Sequence, residues 1–187
     1  VRHVIIEDGV ATNVVDYESD ISGQVPPGMG LLTIALASEV AQIGWTWDGE
    51  VLAPPALTPA QFAAAKAARV AALTAACQAA IVGGCVSEAL GAPHTYPSSA
   101  TDQINMLGRV AQAQIDPATT LSFWCADVDG AWAKRAHTAA QMIRVGLDAA
   151  AWVQTNSDRL TGADGGGGLV GQVLAATTPA EVEAVVW

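Results

Sequence analysis

An α+β fold, with a small antiparallel β unit leading into a larger unit of helices and short β-hairpins, follows from three features of this 187-residue chain. Hairpin turns separate β-branched runs near the start, capping sequences open Ala-rich and amphipathic stretches later on, and the alternating strand–helix–strand pattern of a parallel sheet is missing. Ala53-Pro54-Pro55-Ala56 divides the two parts, because its prolines fix an extended backbone and withdraw ladder donors. The expected organisation is a small acidic β unit at 1–52, a proline-rich linker at 53–58 and a helical unit with hairpins at 59–187.

In the first unit Asp8-Gly9 joins Arg2–Ile6 to Val10–Val15, the strongest short hairpin signal in the chain. Two strands alone are marginal, so partners are required. Beyond the loop from Ser22 to Gly30, with its Pro26-Pro27-Gly28, the candidates are Leu31–Ala37, then Trp45–Trp47 with Glu50–Leu52 around Asp48-Gly49.

The helical unit opens at Thr58-Pro59-Ala60-Gln61, a capping box with proline at the first helical position. This predicts a helix to Gly83-Gly84 with Val70, Leu73, Cys77 and Ile81 on one face. The rest of its surface is largely alanine, which admits another helix at close range and makes self-association an expectation. Cys85–Leu90 and Thr95–Tyr96 read as strands about Gly91-Ala92-Pro93. Ser99 or Thr101 then caps a helix carrying Ile104, Leu107, Val110, Ala111 and Ile115 at helical spacing, and Asp116-Pro117 ends it.

Leu121–Asp127 and Ala131–His137 form the arms of a hairpin through Val128-Asp129-Gly130, which brings Trp124 and Trp132 near one another. Thr138-Ala139-Ala140-Gln141 is a second capping box, and its helix runs through Met142, Ile143, Val145, Leu147, Trp152 and Val153 toward Leu160. Four consecutive glycines make Gly162–Gly168 a loop or hinge, since each costs roughly 1 kcal/mol in a helix. Thr178-Pro179-Ala180-Glu181 caps a short last helix whose Val182, Val185, Val186 and Trp187 are expected to dock.

Composition narrows the function. The formal net charge is −10, and residues 1–57 carry eight acidic side chains against the single Arg2. Eight scattered Lys and Arg argue against nucleic-acid binding, which needs clustered cations, whereas a basic protein surface complements the acidic end. Cys77, Cys85 and Cys125 lack zinc-site spacing and are expected to be reduced thiols. Lys66, Arg69 and Gln78 interrupt the Ala-rich stretch, so no membrane insertion is expected. Neither a metal nor a cofactor is expected.

The segments LGAPHTYPSSATDQIN, FWCADVDGAWAKRAHTAAQ and ATTPAEVEAVVW, with IIEDGVATNVV and IGWTWDGEVLAPP nearer the start, resemble an uncharacterised domain that recurs in tail-associated proteins of tailed bacteriophages and prophages. The likeness extends over most of the chain. It implies a virion tail protein made in the host cytoplasm, a non-enzymatic structural accessory of the tail fibre or baseplate. Its partners would be fibre or baseplate proteins, within a symmetric assembly that includes further copies of the chain. The alternative is a tail fibre assembly chaperone absent from the mature virion. The resemblance implies no catalytic residues.

Cys125, Asp127 and His137 supply the ingredients of cysteine-nucleophile catalysis, which raises a third class, a small envelope-directed hydrolase. The plainer account is a buried strand cysteine, a turn aspartate and a histidine that precedes a helix cap. His94 and His137 lack paired zinc spacing, and the glycine run lacks the Gly-Lys-Ser/Thr of a phosphate loop. Candidate interaction residues are Trp45, Trp47 and Asp48 at a tight turn, Tyr96 beside the polar cluster Asp102, Gln103 and Asn105, and Trp132. Six tryptophans are many for this composition, and tryptophan contributes large contact area at small entropic cost. The competing explanations are core packing for the tryptophans and helix capping for the polar cluster.

Overall fold

The computed structural model describes residues 1–16, 18, 22, 33–36 (backbone) and 41–187, which fall in two compact units, Val1–Pro59 and Ala60–Trp187. The expected loop with Pro26-Pro27-Gly28 lies outside the described residues, Ser22 apart.

In the first unit β1 (Arg2–Glu7), β2 (Val10–Asp16), β3 (Thr33–Leu36), β4 (Thr46–Trp47) and β5 (Leu52–Ala53) form one antiparallel sheet in the order β3-β1-β2-β4-β5. Asp8 and Gly9 take φ of 50° and 74°, the paired positive values of a two-residue hairpin whose twist matches its strands. Ile5 opposes Asn13 but Ile6 opposes Ala11, so β2 carries one extra residue, a bulge. Val4, Ile6, Ala11 and Ala41 make the core. Of the expected strand Leu31–Ala37, β3 is the described part. Glu50 and Val51 were expected in the last strand and instead belong to a turn, because the Asp48 carboxylate accepts from both their N–H groups; β5 takes in Ala53 in exchange.

The second unit contains α1 (Pro59–Val82), β6 (Cys85–Ser87), β7 (His94–Tyr96), α2 (Ala100–Ile115), β8 (Thr120–Ala126), β9 (Trp132–Thr138), α3 (Ala139–Thr161), α4 (Gly168–Ala175) and α5 (Pro179–Ala184). Its sheet is also antiparallel, in the order β6-β7-β8-β9. Ser99 caps α2 and Thr138 caps α3 through reciprocal capping boxes with Asp102 and Gln141. One face of the sheet gives Tyr96, Leu121, Phe123 and Cys125 to a core completed by Met106 and Ala113 of α2 and by Met142 and Val145 of α3. The two helices meet at Gly146, where a Cβ would sit 2.6 Å from Val110 Cγ2.

Sequence periodicity places α2 as the structure has it, from the Ser99 cap to Ile115, but does not identify its buried stripe. Ile104, Leu107 and Ile115 are exposed, while Met106 and Ala113 are buried, since the close approach to α3 selects for fit rather than hydrophobicity alone. Leu147 of α3 is likewise exposed. The strand expected over Cys85–Leu90 stops at Ser87, whose hydroxyl accepts from Ala89 N–H and turns the chain while donating to Asp148 Oδ2 at 2.6 Å.

A second core joins Leu73 of α1 to Val173, Ala176, Val182 and Val185, with Phe62, Val70, Leu160, Leu169 and Trp187 packed around it. Helix α4 falls partly within the expected glycine loop. At Gly168 (φ 61°) a Cβ would lie 2.6 Å from the Leu160 carbonyl oxygen, so α4 can turn back on the end of α3 there with glycine. The Lys66 ammonium donates to the Leu174 carbonyl at 2.8 Å, and the Arg69 guanidinium to those of Val182 (3.1 Å) and Glu183. Two cations of α1 thus satisfy the carboxyl ends of α4 and α5, where the helix dipole favours positive charge. By length and composition alone α1 is long and apolar enough to cross a membrane; in this fold its Leu73, Cys77 and Ile81 are buried in the unit.

Candidate functional site

The β8–β9 hairpin positions the site. Its register sets Trp124 opposite Lys134 and Ala126 opposite Trp132, and alternation sends Leu121, Phe123 and Cys125 inward beneath α2 and α3. The other set faces outward: Trp124 is 48% exposed and Trp132 52%, on the same side of the sheet but one pair apart, and Val86 of β6 is 57% exposed. The Lys134 ammonium lies 5.9 Å from the centre of the Trp124 ring.

A cleft of about 510 Å³ runs along β8. Asp102, Asn105 and Arg109 of α2 line one wall, Ser122 and Trp124 the other, with Pro97 and Lys134 also contributing. The strand edge facing it is open. Asp127 N–H donates to the Ala131 carbonyl at the hairpin mouth, so antiparallel alternation directs the main-chain groups of Cys125, Phe123 and Leu121 toward β9 and those of Ala126, Trp124 and Ser122 away from it. Ala126 meets Thr95 of β7 on that side; the next available residue is Pro97, which has no N–H, and the chain departs into α2. Among the described residues no strand pairs with Ser122 or Trp124 there.

A separate apolar groove of about 620 Å³ lies between α2 and α3, lined by Ile104, Leu107, Val110, Ile143 and Leu147 among others.

The expected interaction residues divide. Asp102 and Asn105 line the β8 cleft and Trp132 the outer sheet face. Asp102 also serves its cap, with Oδ2 accepting from Ser99 N–H at 3.1 Å and the Ser99 hydroxyl at 2.5 Å, while Gln103 donates to the Ser98 carbonyl at 2.8 Å. Tyr96 is 0% exposed and belongs to the core instead of the surface, because β7 turns it inward beside Phe123. Trp45 and Trp47 are half-buried against the first unit's core. Asp48 holds its turn, and the N–H groups of Val51 and then Glu50 keep its carboxyl below the usual range. Sequence reasoning did not select Arg109, Ser122 or Lys134; the inward assignment of Phe123 and Cys125 is the signal that places their neighbours outward.

Cys125, Asp127 and His137 do not form a nucleophile–base arrangement. The His137 Nδ1–H donates to the Arg135 carbonyl at 2.9 Å, which leaves Nε2 to accept from the Tyr96 hydroxyl at 2.8 Å. Both nitrogens are occupied in a fully buried ring, and burial lowers its pKa. Burial also raises the Tyr96 hydroxyl well above its ordinary value, and raises Cys85 to about 11. Asp127 accepts from Ala131 N–H and Asp129 N–H and pairs with Arg135 at 2.7 Å; these contacts, Ala131 foremost, hold its carboxyl low. Among the described residues, no group of three or more His, Cys, Asp or Glu is placed to hold a metal ion.

Neither the curated proteins nor the solved structures include a match to this chain. Residues 64–161, from within α1 to the last residue of α3, match the family model described as a domain of unknown function, DUF4376, and the chain belongs to that family.

Proposed function

We propose that this chain is a tail protein of a tailed bacteriophage, a structural accessory of the fibre or baseplate that works through protein–protein contacts within a symmetric assembly. The resemblance of its segments to tail-associated proteins supplies the context. The observation that carries the contact role is the open outer sheet face: Trp124, Trp132 and Val86 project from strands whose other face is a closed core. Half-exposed tryptophans on a rigid sheet are the side chains that dominate binding energy when a partner covers them.

The test is quantitative mass spectrometry of purified particles, counting this chain against the major tail proteins, for wild type and for Trp124→Ala/Trp132→Ala. A fixed copy number that falls with the double substitution, while the isolated chain melts unchanged, is the expected result. A full copy number for the variant removes the contact face from the reading. The open edge of β8 favours a second reading, an assembly factor that holds extended fibre segments and then leaves. Abundance in infected-cell lysate with absence from particles selects that one.

A further inference from the structure

We propose that the β8 cleft is a docking slot for an extended acidic peptide of a partner protein, which adds as a strand to the open edge at Ser122–Trp124. This deepens the contact reading and rests on it in one respect, that the ligand is protein.

Three observations converge. Main-chain N–H and C=O groups of Ser122 and Trp124 point toward the side on which β7 has already ended, so an incoming strand finds donors and acceptors in register. The edge is bordered by a cleft of about 510 Å³, within the range of ligand sites, instead of being covered by α2. The cleft is also cationic in a chain of net charge −10. Among the described residues its one carboxylate, Asp102, is engaged by the Ser99 cap, whereas Arg109 and Lys134 are exposed, with a Gln112 amide at 3.2 Å and the Trp124 ring as their neighbours and no described carboxylate within salt-bridge distance.

Geometry then defines the ligand. Side chains of an added strand alternate, so residues opposite Ser122 and Trp124 share the outer face with the Trp124 ring, while the residue between them, opposite Phe123, turns toward α2 and Arg109. An apolar–acidic–apolar alternation fits that pattern. The order of apolar and acidic positions gives specificity, and the main-chain bonds give affinity independent of the remaining sequence.

The experiment uses the full chain and a blocked heptapeptide of alternating valine and glutamate, with amide chemical shifts as the readout. Controls are the valine–lysine counterpart, a valine–glutamate peptide N-methylated at alternate amides, and a panel of neutral oligosaccharides. The expected result is saturable shifts at Ser122 and Trp124, weakened about five- to ten-fold by N-methylation, the loss of roughly one net hydrogen bond. Ser122→Pro should weaken binding similarly, since proline is tolerated where a strand N–H faces an open edge. Arg109→Glu, on an exposed helix position, should disfavour the glutamate peptide and admit the lysine one. If Ser122→Pro does not fold, N-methylation and Arg109→Glu decide.

The proposal is overturned by the absence of shifts at millimolar peptide, by equal binding of the N-methylated peptide, or by shifts produced by oligosaccharide alone. Such a failure leaves the tail-contact reading standing if Trp124→Ala/Trp132→Ala still lowers the copy number. Loss of the tail reading with peptide binding intact leaves the slot.

Discussion

On the inner face of the four-stranded sheet, Leu121, Phe123, Cys125 and His137 are buried beneath α2 and α3; one residue along the same strands, Ser122, Trp124, Trp132 and Lys134 stand exposed. The backbone is common to both sets, so the difference arises wholly from what each face meets. Helices cover the first and fix it by packing. The second retains aromatic area that packing did not consume, a division that assigns stability to one side and recognition to the other.

The strongest way to break this comparison is Phe123→Ala, which removes an inner ring and should cost about 3–5 kcal/mol in equilibrium denaturation. Tyr96→Phe is subtler: it leaves His137 Nε2 buried without its donor and should cost about 1–3 kcal/mol. A loss near zero would mean that water replaces the hydroxyl.

Titration of His137 comes next. Its native pKa lies below the unfolded value of about 6.5, so stability is fully present above that pH. As the pH falls further the unfolded chain binds a proton that the native ring resists. Stability therefore declines by up to about 1.4 kcal/mol per pH unit until the lowered native pKa is passed. Urea titrations between neutral and mildly acidic pH should show this slope, and His137→Gln should flatten it. The depressed carboxyls of Asp48, Asp127 and Glu181 act separately: their contribution is present above about pH 4 and is lost as pH falls through their native values. Smallest of all, Trp132→Ala should alter stability by no more than about 0.5 kcal/mol, because the ring is half-exposed and lies outside the core cluster beneath the sheet. A larger loss would show that the outer face also supports the fold.

Local signals were legible wherever one residue type does one job. Asp8-Gly9, a cap at Ser99, the capping boxes at Thr138 and Thr178, and the alternation of β8 each act within a few residues, and the structure contains all of them. Choices among apolar residues were less legible. Ile104, Leu107 and Val110 follow helical spacing as well as Met106, Val110 and Ala113 do, and tertiary packing alone selects the second stripe. Helix α4 went unseen because its glycine start is unfavourable locally and acceptable only against the end of α3. As for the cleft, Asp102 and Asn105 were visible as a polar cluster, but Ser122 and Arg109 become neighbours through the sheet edge that Pro97 leaves open.

The ion-to-carbonyl contacts of α1 carry a consequence for modularity. The family segment stops at Thr161, yet Lys66 and Arg69, inside that segment, serve carbonyls of Leu174, Val182 and Glu183, outside it. A protease nicking the glycine loop would therefore release no independent tail piece: the two fragments remain complementary, each holding half of the core around Leu73 and Val173. Separated by dilution, the longer fragment would expose the Phe62–Val70–Leu73 stripe to solvent and become adhesive. In this chain the segment matched by the family model is shorter than the packed unit that contains it.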